Sequence, residues 1–197
     1  MNCLDLAKLF LVQADQDGLS GTMTNMKINK LVYYAQCLNL ALYGEPLFSE
    51  DIQAWIHGPV CYKVYLEYRQ YIADPVRVPE MNDLKQISEK DIEIVEEVWQ
   101  FLGDRRASQL RNMTHEEFPW LNARGGIPDD MPSQAVLSLE DMRARGEEML
   151  NEIEKADPSY HAEMNYAILQ ALADDQAPIV TVNEMNEWLD HVLAEAV

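Results

Sequence analysis

Apolar residues recur at intervals of three and four over several stretches of the chain, which is the spacing of one face of an α-helix. The most regular stretch follows Thr24, a predicted N-cap, and ends at Gly44, a predicted helix C-terminus. Ser88 and Asp91 predict the capping box of another helix, which Gly103 ends. With the shorter stretches, the pattern predicts helices over residues 4–14, 24–43, 60–71, 88–102, 107–113 and 138–156.

The segments between these helices predict little sheet. Alternation of polar and apolar residues over 51–56 predicts a short strand, and residues 57–59 predict a turn. The helix over 107–113 is predicted to end in Thr114-His115, and the segment after it, with Pro119-Trp120 and Gly125-Gly126, is predicted to be irregular. We therefore expect a mainly α fold: a compact helical domain over residues 1–145 with one short β-hairpin at most, followed by an acidic extension over residues 146–197 that contains amphipathic helices.

The charge is strongly negative and uneven. The chain has 34 acidic and 15 basic residues, a formal net charge of −19, and Lys155 is the one basic residue after Gly146. Phosphate binding depends on clustered Lys and Arg, so direct nucleic-acid binding is disfavoured. A basic protein partner is expected instead.

Membrane, export and disulfide classes are also disfavoured. The longest uncharged stretch, residues 31–44, is shorter than the roughly 20 residues that cross a bilayer, and no export signal is visible at the N-terminus. Cys3, Cys37 and Cys61 are scattered without a close pair, which argues against both a disulfide framework and a cysteine-based zinc site. We expect a cytoplasmic protein with no cofactor. Its oligomeric state is left open.

Three segments of the chain share their order and spacing with one known family. They are Lys27–Gln36 (KINKLVYYAQ), Ala54–Val60 (AWIHGPV) followed by Tyr65, and Leu110–His115 (LRNMTH) followed by Pro119-Trp120 and Arg124. Together they resemble the Panacea domain, the SocA-like antitoxin and phage-associated protein family. The resemblance covers roughly residues 4–142, so the C-terminal extension lies outside it.

The resemblance implies a small helical domain that neutralises a toxin by protein contact. We therefore expect an antitoxin of a toxin–antitoxin system and no enzyme. The alternative is a proteolytic adaptor that delivers a bound toxin to an ATP-dependent protease. The residues expected to form the partner-binding surface or its scaffold are Lys27, Lys30, Tyr34, Trp55, His57, Gly58, Pro59, Thr114, His115 and Trp120 in the domain, with Met185 and Trp188 in the extension.

The residues of the first two motifs also have a purely structural interpretation. Lys27, Lys30 and Tyr34 share one face of a helix by their spacing, and this face is either a binding surface or a solvated one. Trp55 is expected to pack in the core while Gly58-Pro59 sets a turn. Alternatively, a partner binds this turn as a rigid surface feature next to Tyr62 and Tyr65, which follow it in the chain.

The third motif raises the possibility of a hydrolase or a metal site, because His115 is followed by two glutamates. Ligands on one helical face need a spacing of three or four residues, and His115 has only Phe118 and Pro119 there. We expect His115 to donate to a backbone carbonyl or to cap a helix end. No nucleotide-binding or acyl-transfer motif occurs in the chain, which further disfavours an enzyme.

The C-terminal helices also have two interpretations. Met185 and Trp188 lie on an apolar stripe that either docks back onto the domain or enters a groove of the toxin. In the second case the surrounding acids would steer a basic partner and raise the association rate.

Overall fold

Seven α-helices and one β-hairpin form the part of the chain that the computed structural model describes, residues 1–80 and 87–156. This part lies within the first of two units of the chain, Met1–Tyr160. The elements are α1 (Cys3–Gln16), α2 (Asn25–Tyr43), β1 (Ile52–Trp55), β2 (Gly58–Cys61), α3 (Tyr62–Tyr68), α4 (Glu89–Leu102), α5 (Ala107–Glu116), α6 (Phe118–Arg124) and α7 (Leu139–Ala156). The predicted mainly α class is confirmed.

Helix α2 is the centre of the fold. The Thr24 hydroxyl caps its N-terminus by accepting from the Lys27 N–H at 3.3 Å, and Gly44 ends it in the left-handed conformation, both as predicted. Every residue from Lys27 to Leu40 is buried, because α1, α3, α4, α5, α7 and β2 all pack around this helix. The solvated face considered for Lys27, Lys30 and Tyr34 is therefore wrong.

A helix buried on all sides must satisfy its polar side chains inside the protein. The Asn29 side-chain oxygen accepts from the Cys61 N–H at 3.0 Å, which ties α2 to the end of the hairpin. The Gln36 side-chain oxygen accepts from the Leu47 N–H at 2.9 Å and so orders the chain after α2. These polar residues hold the segments around α2 in place.

Helix α7 crosses α2 at very close range. Gly146 lies at the crossing, and a Cβ atom built there would be 2.0 Å from the Cys37 carbonyl oxygen of α2. Met142, Met149 and Ile153 are buried on the same side of α7. The helix thus continues past residue 145, the predicted end of the domain, with buried residues on both sides of it. The division at residue 145 stays a prediction.

Two local predictions are wrong. Segment 118–124 is the helix α6 and not irregular, because Pro119 lies in its first turn, where a helix has no need of the missing N–H. In α4 the spacing of Ile92, Val95, Trp99 and Leu102 predicts one apolar face. The buried face instead includes Ile94 and Val98, and Ile92 is 42% exposed.

The hairpin is tighter than predicted. β1 and β2 pair antiparallel with Trp55 opposite Gly58, so Ile56 and His57 form the turn. Gly58 and Pro59, predicted to set the turn, are the first residues of β2. The two helices predicted after residue 156, together with Met185 and Trp188, lie outside the described residues.

Candidate functional site

Lys27, predicted for the partner surface, lies in the interior near the end of α4. Its Nζ donates to the Gly103 carbonyl at 2.6 Å and to the Thr22 hydroxyl at 3.0 Å, and it lies 5.4 Å from the centre of the Trp99 ring. Burial lowers the pKa of this amine. Lys27 therefore stabilises the junction between the start of α2 and the end of α4.

Tyr34 belongs to a second interior cluster, about two turns further along α2. Tyr33 and Tyr34 donate their hydroxyls to the two oxygens of Glu117, at 2.9 and 2.7 Å. Arg145 of α7 forms an ion pair with Glu117 at 3.0 Å and with Glu152 at 3.1 Å. Burial raises the pKa of the Glu117 carboxyl, and Arg145 opposes that rise. This cluster joins α2, α7 and the link between α5 and α6.

Trp120 anchors α6 to the hairpin. The indole is fully buried, and its Nε1 donates to the Trp55 carbonyl at 2.8 Å. Arg124, one turn later, donates to the Ala54 carbonyl at 3.1 Å and to the Pro128 and Met131 carbonyls, while its guanidinium lies over the Trp120 ring. The third motif therefore holds the strand that carries the second motif.

His115 stacks face to face on Trp120. The ring centroids are 4.2 Å apart with an interplanar angle of 11°. The His115 Nε2 is buried without a hydrogen-bond partner. His115 was expected to donate to a backbone carbonyl or to cap a helix end. Its ring instead packs against the Trp120 indole. Burial and the positive Arg111 and Lys30 lower the pKa of His115 to about 4.

Lys30, Gly58 and Thr114 meet where α2, the hairpin and α5 converge. Lys30 is fully buried, and its Nζ donates to the Pro59 carbonyl at 2.9 Å. A Cβ atom at Gly58 would lie 2.5 Å from the Thr114 hydroxyl oxygen and 2.9 Å from the Lys30 Cε. Gly58 also has a φ of +89°, so only glycine suits this position. Burial and the nearby Arg111 lower the pKa of Lys30 to about 7.

An exposed aromatic group lies beside the hairpin turn. We call Trp55, Tyr62, Tyr65 and Leu66 the aromatic face. The Trp55 ring lies 4.8 Å from the Tyr65 ring and 6.0 Å from the Tyr62 ring. Tyr62 and Leu66 are 49% and 39% exposed. The expectation that Trp55 packs in the core is wrong, because it is half-buried and packs on these tyrosines.

The predicted site residues therefore divide into two groups. Trp55, His57 and His115 are at least partly exposed, whereas the others in the described part of the chain are buried: Lys27, Lys30, Tyr34, Gly58, Pro59, Thr114 and Trp120. Glu117 and Arg145 were missed by the sequence analysis, since nothing in the local pattern links residues so far apart. Among residues 1–80 and 87–156, no group of three or more His, Cys, Asp or Glu is arranged to hold a metal ion. None of the described helices is both long and apolar enough to cross a bilayer.

One family model matches part of the chain. Residues 28–121 match the family model described as antitoxin SocA-like, Panacea domain. The matched range runs from the first turn of α2 into α6 and contains the three sequence motifs apart from Lys27 and Arg124, so the resemblance noted from those motifs is confirmed over this range. No curated protein and no solved structure matches the chain.

Proposed function

From the match of residues 28–121 to the SocA-like antitoxin model, we propose that this protein is an antitoxin that neutralises a cognate protein toxin by direct binding. The family match is the observation that carries the proposal, and it supports a role in a toxin–antitoxin system in general terms. The family is typically not enzymatic, and the proposal assigns no catalytic residue.

The aromatic face is the part of the domain that we assign to toxin contact. Tyr and Trp are enriched among the residues that contribute most to protein binding, because they bury a large area with few rotatable bonds. Trp55 and Tyr65 pack edge to face, so Tyr62 and Leu66 are presented on a rigid base. A stable complex needs about 1,200 Å² of buried area in total, so the toxin would also cover His57 and neighbouring residues.

The interior motif residues support this surface without touching the toxin. Trp120 and Arg124 donate hydrogen bonds to main-chain carbonyls of β1, and Lys30 donates to the Pro59 carbonyl of β2. The geometry of the hairpin is therefore fixed before a partner binds. A preorganised surface loses less conformational entropy on association, which favours tight binding.

The net charge of the chain supports a basic toxin. Opposite charges mainly raise the association rate, and salt screens them. We expect the association rate to fall as the salt concentration rises, while the dissociation rate changes little.

The proposal is tested by co-expressing the chain with the product of the adjacent gene. Relief of growth arrest with the toxin level unchanged supports direct neutralisation. Loss of the toxin in a protease-dependent manner would instead establish the adaptor alternative. If the neighbouring gene is not toxic and no toxin binds the purified chain, the antitoxin function is excluded.

The surface is tested by Tyr62→Glu and Leu66→Glu, each measured for toxin affinity and for rescue of growth. We expect each variant to weaken binding by tenfold or more, because a charge is placed within an apolar contact. Ile92→Glu on α4 is the matched control, since Ile92 is a comparably exposed apolar helical residue away from the hairpin. Equal effects in the three variants would contradict the assignment of the aromatic face.

A further inference from the structure

Four basic side chains from three elements lie close enough together near the hairpin turn to affect one another's charge. Lys30 comes from α2, His57 from the turn itself, and Arg111 and His115 from successive turns of α5. Thr114, on the same side of α5, lies against Gly58, which directly follows His57. The contact between α5 and the hairpin therefore brings the four groups into one region of a chain whose net charge is −19.

Two buried nitrogens in this region lack a hydrogen-bond partner, and the Lys30 amine has donor capacity left. The Arg111 Nε and the His115 Nε2 are buried with no hydrogen bond. Lys30 is 1% exposed and, of the three protons that an ammonium group can donate, places one on the Pro59 carbonyl. Buried donors are normally satisfied, because leaving one unpaired costs free energy. The two unpaired nitrogens belong to α5, and Lys30 comes from α2.

The groups also repel one another. After burial, Arg111 and Lys30 are the largest charge effects that lower the pKa of both His57 and His115. Arg111 likewise lowers the pKa of Lys30. Asp129 acts in the opposite direction on His115, with a smaller effect than Arg111 or Lys30. Basic groups that burial and mutual repulsion hold toward their neutral forms become easier to protonate when an anion binds among them.

We propose that Lys30, His57, Arg111 and His115 form a binding site for a small oxyanion, a phosphate or a carboxylate group. The Arg guanidinium group is suited to such ligands, since its N–H donors reach two oxygens at fixed angles, and each imidazole can donate an N–H. Lys30 places its amine in the site from the interior, where a bound anion would favour the protonated form, and His57 closes the site at the surface. The site does not depend on toxin binding. Its ligand is either a free anion or an acidic group that a toxin carries.

The test is an NMR titration of the full-length protein that follows the imidazole signals of His57 and His115. Sodium phosphate and sodium acetate are added in separate titrations at constant ionic strength maintained with chloride. We expect saturable shifts at both imidazoles, and a rise in both imidazole pKa values when the anion is bound, because a negative ligand stabilises the protonated ring. Saturation with phosphate alone would specify a phosphoryl ligand, and saturation with acetate would specify a carboxylate.

Arg111→Gln should weaken the anion affinity about tenfold while the fold is kept, since this side chain is partly exposed. Arg143→Gln on the exposed side of α7 is the control and should bind as the wild type does. The proposal is overturned if neither anion gives a saturable shift, if Arg111→Gln binds as well as the wild type, or if both variants lose affinity equally.

The source of the ligand is distinguished with the toxin complex. If an acidic group of the toxin fills the site, phosphate will compete with the toxin and Arg111→Gln will bind the toxin more weakly. If the ligand is a free anion, phosphate will bind the complex and the free chain alike. Both results support the oxyanion site. If the chain binds phosphate as expected but binds no toxin, the antitoxin function is excluded and the oxyanion site is retained.

Discussion

Replacing Gly146 by Ala would add a methyl group at the crossing of α7 and α2. The added carbon would lie 2.0 Å from the Cys37 carbonyl oxygen and 2.9 Å from the Ala41 Cβ. Atoms this close cannot coexist, so the two helices must separate. The Cys37 carbonyl belongs to the interior of α2 and cannot turn away.

Two opposing effects decide the sign of the stability change. Ala is favoured over Gly within a helix by about 1 kcal/mol, so propensity alone predicts a more stable protein. Overpacking a well-packed core costs about 1–3 kcal/mol, and here the obstacle is backbone, which places the cost at the upper end. Met142 and Met149, buried within a turn of Gly146, would also lose contacts as the helices separate. We expect the free energy of unfolding to fall by about 2 kcal/mol.

The measurement is urea unfolding of the full-length chain, followed by circular dichroism. A slope of about 2 kcal/mol/M converts this loss into a midpoint lower by roughly 1 M. Gly21→Ala is the matched control, because a Cβ at Gly21 meets no atom within 4 Å, and it should change stability by less than about 0.5 kcal/mol. A Gly146→Ala protein as stable as the wild type, or more stable, would refute the close crossing of α2 and α7.

Two further predictions concern the buried amine and the C-terminal extension. The pKa of Lys30 is about 7 in the folded protein and 10.5 for the free side chain, so between these pH values the unfolded chain binds more protons, and the contribution of Lys30 to the free energy of unfolding increases as the pH rises from about 7. In unfolding measurements from pH 7 to 9, Lys30→Met should remove this increase. If the wild type and the variant instead give parallel pH profiles, the amine is charged in the folded protein. Deleting residues 181–197, which carry Met185 and Trp188, should abolish neutralisation without unfolding the domain, whereas full rescue of growth by the truncated chain would place the toxin contact within the domain.

Local signals predicted most of the helices. The caps at Thr24 and at Ser88 with Asp91 form as expected, since both depend on groups within three residues of each other. Helix α6 was missed because Pro119 was taken as a sign of irregular structure. Periodicity predicted the helix α4 correctly but not its buried face, since Ile94 is buried and Ile92 is exposed.

The site was predicted only in part. The three motifs contain most of the residues that meet at the hairpin, and Tyr62 and Tyr65 were noted as neighbours of Trp55. Their environments were not predicted. Lys30 looks like a surface residue by its type, and its burial depends on five helices and a strand packing around α2.

The sequence by itself determined the mainly α class, the boundaries of the long helices and the family resemblance, because caps, periodicity and motif spacing are properties of nearby residues. Only the tertiary structure decided which polar groups are interior and which partners they find. Tyr34 meets Glu117 across 83 positions of the chain, and Glu117 in turn meets Arg145 of α7. Such pairs form when separate helices pack together. Their charge state depends on the cost of removing each group from water and on the gain from pairing it, and both arise only in the packed interior.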